Sequence, residues 1–158
     1  MVTKLLLQAQ PDVAVFGEKD YQQLQVVRRF TRDLDIPVHV EGLPTVREAD
    51  GMALSSRNAY LTPDERGRAV ELSRALFDAA AAIATGSDSA VALDGVRARL
   101  TAAGFGPIDY VELRDAESLV PVTSAFRPAR LLAAAWMGRT RLIDNVPVLA
   151  GACARHSV

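Results

Sequence analysis

The sequence predicts an α/β protein in two parts. The first is the end of a doubly wound domain; the second is a small α+β domain, a helical hairpin on a three-stranded antiparallel sheet. Three observations carry this prediction. Val13-Ala14-Val15-Phe16 is a continuous apolar run, as in a parallel strand covered on both faces, and a helical period follows it at once. Between Thr62 and Gly104 two long stretches repeat their apolar residues at three- and four-residue steps. From Ile108 the pattern changes to short strands separated by turn-rich pieces.

In chain order, Val2 to Gln10 reads as a helix with Leu5, Leu6 and Ala9 on one face, ended by Pro11-Asp12. It has neither an N-cap nor a lead-in strand, so the start of the domain is expected upstream of Met1. After the first strand, Leu24, Val27, Phe30 and Leu34 mark the inner face of a helix that begins at Tyr21. Asp35-Ile36-Pro37 then turns the chain into a second strand, Val38-His39-Val40, where His39 is expected to pack or sit at an edge rather than bind a ligand. One βαβ unit leaves two sheet edges unpaired. Residues 1–43 are therefore expected to be the closing piece of a larger domain, either poorly packed alone or held by self-association as a homo-oligomer.

Gly42 to Gly51 is a linker by composition, which puts the domain boundary near Pro44 and the second domain at residues 44–150. Thr62-Pro63-Asp64-Glu65 combines a capping threonine, proline at the first helical position and glutamate at the capping-box position. One helix is expected from there toward Gly86, with Val70, Ser73, Leu76, Phe77, Ala80 and Ile83 inside. A second begins near Ser87 to Ser89, carries Leu93, Val96, Leu100 and Ala103, and stops at Gly104. Strands are expected at Ile108 to Arg114, Ala129 to Met137 and Arg141 to Leu149, with a tight turn at Gly138-Arg139-Thr140. Asp144-Asn145 interrupts the last strand with polar groups and reads, on spacing, as an edge or a bulge. Residues 151–158 lose both periodicity and bulk and read as a disordered tail.

Composition excludes several function classes. The chain has 158 residues, 49% hydrophobic and 23% charged, with a net charge of -1, which argues against a nucleic-acid-binding or polybasic membrane surface. No apolar stretch reaches the roughly 18 residues needed to span a bilayer. The run Met1 to Leu7 is too short for a signal peptide, so a cytoplasmic location is expected. Cys153 is the single cysteine and His39 and His156 the only histidines, so neither an internal disulfide, a conventional zinc cluster nor a metal site on protein ligands is predicted.

Two polar stretches are candidates for chemistry. Gly17-Glu18-Lys19-Asp20-Tyr21-Gln22-Gln23 sits at the carboxyl end of the first strand, the edge at which open α/β sheets bind ligands. Gly17 allows close backbone approach to a sugar or phosphate, Lys19 supplies a cation, and Asp20 accepts from ribose hydroxyls. Gln22 and Gln23 both donate and accept. A solvated turn is the alternative. Ser55-Ser56-Arg57-Asn58 offers two hydroxyl donors and a guanidinium fork, suited to phosphate, with ordinary loop chemistry as its alternative.

Taken together, Phe16 to Leu24, Pro44 to Gly51, Leu54-Ser55-Ser56-Arg57-Asn58-x-Tyr60-Leu61, Asp109 to Leu113 and Thr140 to Asn145 resemble pantothenate synthetase, in order, over the chain up to about Leu149. The resemblance implies a Rossmann-like nucleotidylyltransferase domain followed by a C-terminal lid. It also implies ATP-dependent joining of pantoate to β-alanine through a pantoyl adenylate, with Mg²⁺ accompanying ATP. Gly17 and Asp20 are implied to contact the ribose, Lys19 the phosphates, Val46 and Leu54 the adenine, and Gln23 the pantoate. Ser55, Ser56 and Arg57 correspond to the phosphate-binding loop. Leu54 stands where many relatives carry methionine, a swap of similar volume. The family's Pro-Thr-Met-Gly-x-Leu-His-x-Gly-His motif is not in this sequence. The resemblance is thus to the C-terminal half of the enzyme, and a non-catalytic fragment or interaction module is the competing expectation.

Overall fold

The computed structural model describes residues 1–149, and the expected tail at 151–158 lies outside them. The chain divides into two compact units, Met1–Val46 and a second that starts at Arg47.

The first unit runs α1 (Val2–Ala9), β1 (Val13–Gly17), α2 (Tyr21–Asp33) and β2 (His39–Leu43). The strands are parallel, with Val13 opposite His39 and Gly17 opposite Leu43. Leu6, Val27 and Ile36 form its small core, with Ala14, Phe16, Phe30, Val38 and Val40 packed against them. Both helices thus cover the same face of the sheet. The other face carries Val13 and Val15, about half exposed, so the two-sided burial expected of the apolar run is met on one side only.

Two inner-face expectations are corrected in this unit. In α1 the buried line is Val2 and Leu6, four residues apart, while Leu5 is 61% exposed and Ala9 is also exposed. Leu34 is 59% exposed because α2 ends at Asp33. The positive φ of Asp35 then turns the chain, and Ile36 enters the core in its place. His39 is an exposed strand residue.

The second unit contains α3 (Pro63–Ala69), α4 (Glu71–Ala84), α5 (Ser89–Ala102), β3 (Ile108–Asp115), β4 (Ala129–Met137) and β5 (Thr140–Val148). The capping box forms as expected: Thr62 Oγ1 accepts from the Glu65 N–H, and Glu65 accepts from the Thr62 N–H. The single helix expected from there is two, broken at Val70, with Gly67 weakening the last turn of α3. Leu72, Leu76, Ala79, Ala80 and Ile83 make the inner stripe of α4. Phe77, expected inside, lies one residue beyond Leu76 and so about 100° around the helix, and is 46% exposed. Asp88 caps α5 through two N–H groups, and Gly104, at φ 88°, takes the left-handed turn after it.

β3, β4 and β5 form an antiparallel sheet in that order, with α4 and α5 against it. Leu76, Leu100, Val111, Leu131 and Val146 are fully buried at the centre of this core. β5 is an edge strand, but its pairing with β4 passes through Asp144 and Asn145 without a register shift, and both residues are 3% exposed. The expected bulge is therefore absent. Asp144 lies on the core side with Leu142 and Val146, where only a specific partner makes a carboxylate tolerable. Among the described residues, no helix is long and apolar enough to cross a membrane.

Candidate functional site

In the first unit, β1 ends at Gly17 and a single 3-10 turn, Glu18–Asp20, leads directly into α2. Gly17 has ordinary extended backbone angles, and a side-chain carbon added there would meet nothing within 4 Å. Its contribution is bare backbone surface rather than an unusual conformation. Asp20 occupies the N-cap position of α2 without making a side-chain cap bond, and Asp20, Gln22 and Gln23 are exposed while Lys19 is half-buried. The expected polar stretch Gly17 to Gln23 thus runs from the carboxyl end of a strand to the first turn of a helix, where backbone N–H groups lack intrahelical partners, with Tyr21 buried beneath it. Val46, the last residue of this unit, is 66% exposed.

In the second unit the structure shows what holds the Ser-Ser-Arg stretch. The Gly42 to Gly51 linker expected from composition is shorter than that. β2 runs to Leu43, and Arg47 to Ala53 forms a small hairpin closed by an antiparallel bridge between its ends. The Glu48 N–H donates to the Met52 carbonyl at 2.8 Å, and Asp50 Oδ1 accepts from the Met52 N–H. Glycine and acidic residues that read as a flexible connection are the turn of this hairpin.

Arg47 fastens the hairpin to the sheet. Its two terminal nitrogens donate to the two oxygens of Asp144 at 2.7 and 2.9 Å. They also reach Ser73 Oγ and the carbonyls of Gly51 and Asn145. The guanidinium lies 4.7 Å over the ring of Phe77, which explains why that ring stays at the surface of α4. Ser73 Oγ donates to Asp144 at 2.8 Å, and the Asn145 N–H donates to it as well.

A second cluster fixes the loop itself. Asn58 Nδ2 donates to Glu48 Oε1 at 2.9 Å and to the Ala53 carbonyl at 3.2 Å. Arg66 of α3 donates to Glu48 and pairs with Asp50. The Arg66 hydrogen bond, seconded by Asn58, holds the Glu48 carboxyl below its usual range; Arg66 and then the Met52 N–H do the same for Asp50. Ser55 Oγ accepts from the Arg57 N–H at 3.2 Å, which shapes the 3-10 turn Ser56–Tyr60. Leu54 is 55% exposed, and Ser56 and Arg57 are exposed too.

Of the predicted residues, the first unit places Gly17, Lys19, Asp20 and Gln23 together, and the second places Leu54, Ser55, Ser56 and Arg57 together. Reading the sequence missed the frame: Arg47, Glu48, Asn58, Arg66, Ser73 and Asp144. The signal for most of them was in plain view, since all but Arg66 and Ser73 fall inside the stretches that carry the resemblance.

Residues 1–147 match the pantoate-beta-alanine ligase family. The chain belongs to this family. Similar members include the pantothenate synthetases of Rhizorhabdus wittichii, 60% identical over 148 residues, and Paramagnetospirillum magneticum, 57% identical over 148 residues. Each alignment covers 94% of this chain and 52% of the relative. The crystal structure of pantothenate synthetase from Thermus thermophilus is similar with a TM-score of 0.87 at 46% identity, covering 94% of this chain and 54% of that one. A pantoate-beta-alanine ligase from Francisella tularensis, complexed with beta-gamma ATP and beta-alanine, is similar with a TM-score of 0.67 at 26% identity, over 92% of this chain and 47% of that one. The chain spans about half the length of the curated relatives it matches.

Proposed function

We propose that this chain carries part of the ATP site of a cytoplasmic, ATP-dependent ligase that condenses pantoate with β-alanine to give pantothenate. A pantoate carboxylate oxygen attacks the α-phosphorus of ATP and pyrophosphate leaves. The β-alanine amine then attacks the acyl carbon, and AMP leaves as the amide forms. No covalent enzyme intermediate is needed. The observation that carries this reading is the family match together with the Ser-Ser-Arg loop, held by two ion-paired clusters yet exposing its hydroxyl and guanidinium donors.

On this reading residues 1–43 close a Rossmann-like nucleotide domain and residues 44–150 form a lid. Gly17 and Asp20 meet the ribose, Val46 and Leu54 the purine, and Gln23 the pantoate. Lys19, Ser55, Ser56 and Arg57 stabilise charge that builds on the leaving pyrophosphate. The described residues hold no group of three His, Cys, Asp or Glu side chains able to cage a metal. Bound with ATP, Mg²⁺ would be held mainly by the phosphates and water and would neutralise their charge. The family resemblance assigns further phosphate stabilisation to a His-x-Gly-His segment, whereas the two histidines here are His39 and His156. Full turnover on this reading requires that segment as well.

Rapid-quench measurement of pantoyl adenylate, with the His-x-Gly-His half supplied, tests these roles. Lys19→Ala is expected to slow adenylate formation by about 10²–10³, the scale of one preorganised donor. Ser55→Ala and Ser56→Ala each remove a neutral donor and are expected to cost about 1–2 kcal/mol. Asp20→Ala acts on ATP binding. A Lys19→Ala protein with a raised ATP constant and an intact single-turnover rate makes the lysine a ground-state anchor. Absence of ATP-dependent pyrophosphate release turns the reading to a non-catalytic interaction module.

A further inference from the structure

Six residues, Ala53 to Asn58, carry all four of the groups assigned to nucleotide in the second unit, and Leu54, Ser56 and Arg57 among them are exposed. Leu54 is 55% exposed and Tyr60, just beyond, is 77% exposed. The hydrogen bonds from the Arg57 and Asn58 N–H groups to Ser55 shape the turn internally but tie it to nothing outside. Beyond the Arg47–Ala53 bridge, the side-chain hydrogen bonds that tie the segment to the hairpin come from the carboxamide of Asn58. One nitrogen bonds the Ala53 carbonyl, closing the loop end to end, and also Glu48 Oε1, which joins the closed loop to the hairpin. Glu48 is in turn held by Arg66 from α3.

We propose that Asn58 is the positioning residue of the phosphate loop: its amide closes the Ala53–Asn58 segment and so fixes where Ser55, Ser56 and Arg57 present their donors to a polyphosphate. The inference rests on the proposed function of that loop. The chemistry is selective, because both partners are acceptors and only a side chain with two N–H donors satisfies them at once. Aspartate has nearly the same shape but donates nothing and sets its charge against Glu48. Glutamine adds a methylene that moves the amide out of reach of one partner or the other.

The test uses the full chain and two variants, Asn58→Ala and the near-isosteric Asn58→Asp, with folding of each checked by Trp136 fluorescence. In hydrogen exchange, the amides of residues 55–61 are expected to exchange at least about tenfold faster in both variants, with Leu131 to Ala135 of β4 unchanged, which separates local from global opening. ATP affinity is expected to fall about tenfold or more, the size of one hydrogen bond to a charged acceptor. In a Ser55→Ala, Ser56→Ala, Arg57→Ala background the same substitution should add almost nothing, because Asn58 acts through the donors of the loop. Unchanged exchange at residues 55–61, or an equal loss of affinity with and without those three donors, overturns the role of Asn58 alone. An ATP affinity that the triple substitution leaves untouched, or no ATP binding by the parent chain, removes the loop's phosphate role and the inference with it.

Discussion

Replacing Arg47 with methionine tests the frame behind the loop. The side chain of Asp144 is 1% exposed and that of Arg47 18%, so the variant strands a carboxylate with only Ser73 Oγ and the Asn145 N–H as donors. Breaking a buried pair in this way costs about 3–5 kcal/mol. The expected loss is therefore about 3–5 kcal/mol. Asp144→Asn in the same chain removes the stranded charge and should recover part of the loss. Urea unfolding followed by Trp136 reads this unit directly, since the chain has one tryptophan and it lies on β4. A loss below about 1 kcal/mol would mean that water reaches Asp144 and that the pair does not hold the hairpin.

Three further outcomes follow from the same structure. Gly42→Ala puts a carbon 2.8 Å from Leu24 Cδ2, in a side chain with no exposed surface, so the first unit should lose about 1–3 kcal/mol in denaturant unfolding followed by far-UV circular dichroism. Thr62→Ala removes one half of the capping box and should cost about 1 kcal/mol in the Trp136 transition, with Thr62→Ser nearly neutral. Glu48 and Asp50 titrate below their usual range because Arg66 bonds them. The stabilisation they give the hairpin is present above the ordinary carboxylate values and lost as pH falls through the lowered ones. NMR shifts of the Gly51 and Met52 amides should move at correspondingly low pH, and in Arg66→Met the transition should shift up toward the ordinary range; an unshifted transition would remove Arg66 as its cause.

The parts of the fold that could be read from sequence are those whose cause is local. Thr62 to Glu65 specifies its capping box within four residues, and Gly104 stops α5 because the next conformation is left-handed. The alternation of β3 and the run of β4 place their strands within a residue of the expected limits. The errors share a different cause. Leu34 and Phe77 keep helical spacing but lose burial, one because a turn intervenes before the core and the other because it lies at the margin of the α4 stripe, where its ring meets Arg47 instead of the core. The break at Val70 leaves the apolar period nearly in phase, so periodicity alone reads through it.

The site divides along the same line. The candidate residues Lys19, Asp20, Ser55, Ser56 and Arg57 are legible because they form short polar clusters, exposed or half-buried, at element ends. The residues that aim them do not. Arg47 and Asp144 are 97 positions apart and meet only because the hairpin folds back over β5 and α4. Composition assigned one to a linker and spacing assigned the other to an edge or a bulge; β5 is indeed an edge strand, but both assignments used polarity as a sign of exposure. Here polarity marks the opposite condition, since a carboxylate at 3% exposure persists only where its oxygens are all engaged, and engaging them requires the arginine to arrive with its backbone already ordered. The same pair therefore enforces the hairpin and, through Ala53 and Asn58, the loop that follows it, so a turn with exposed Leu54, Ser56 and Arg57 still has a defined shape.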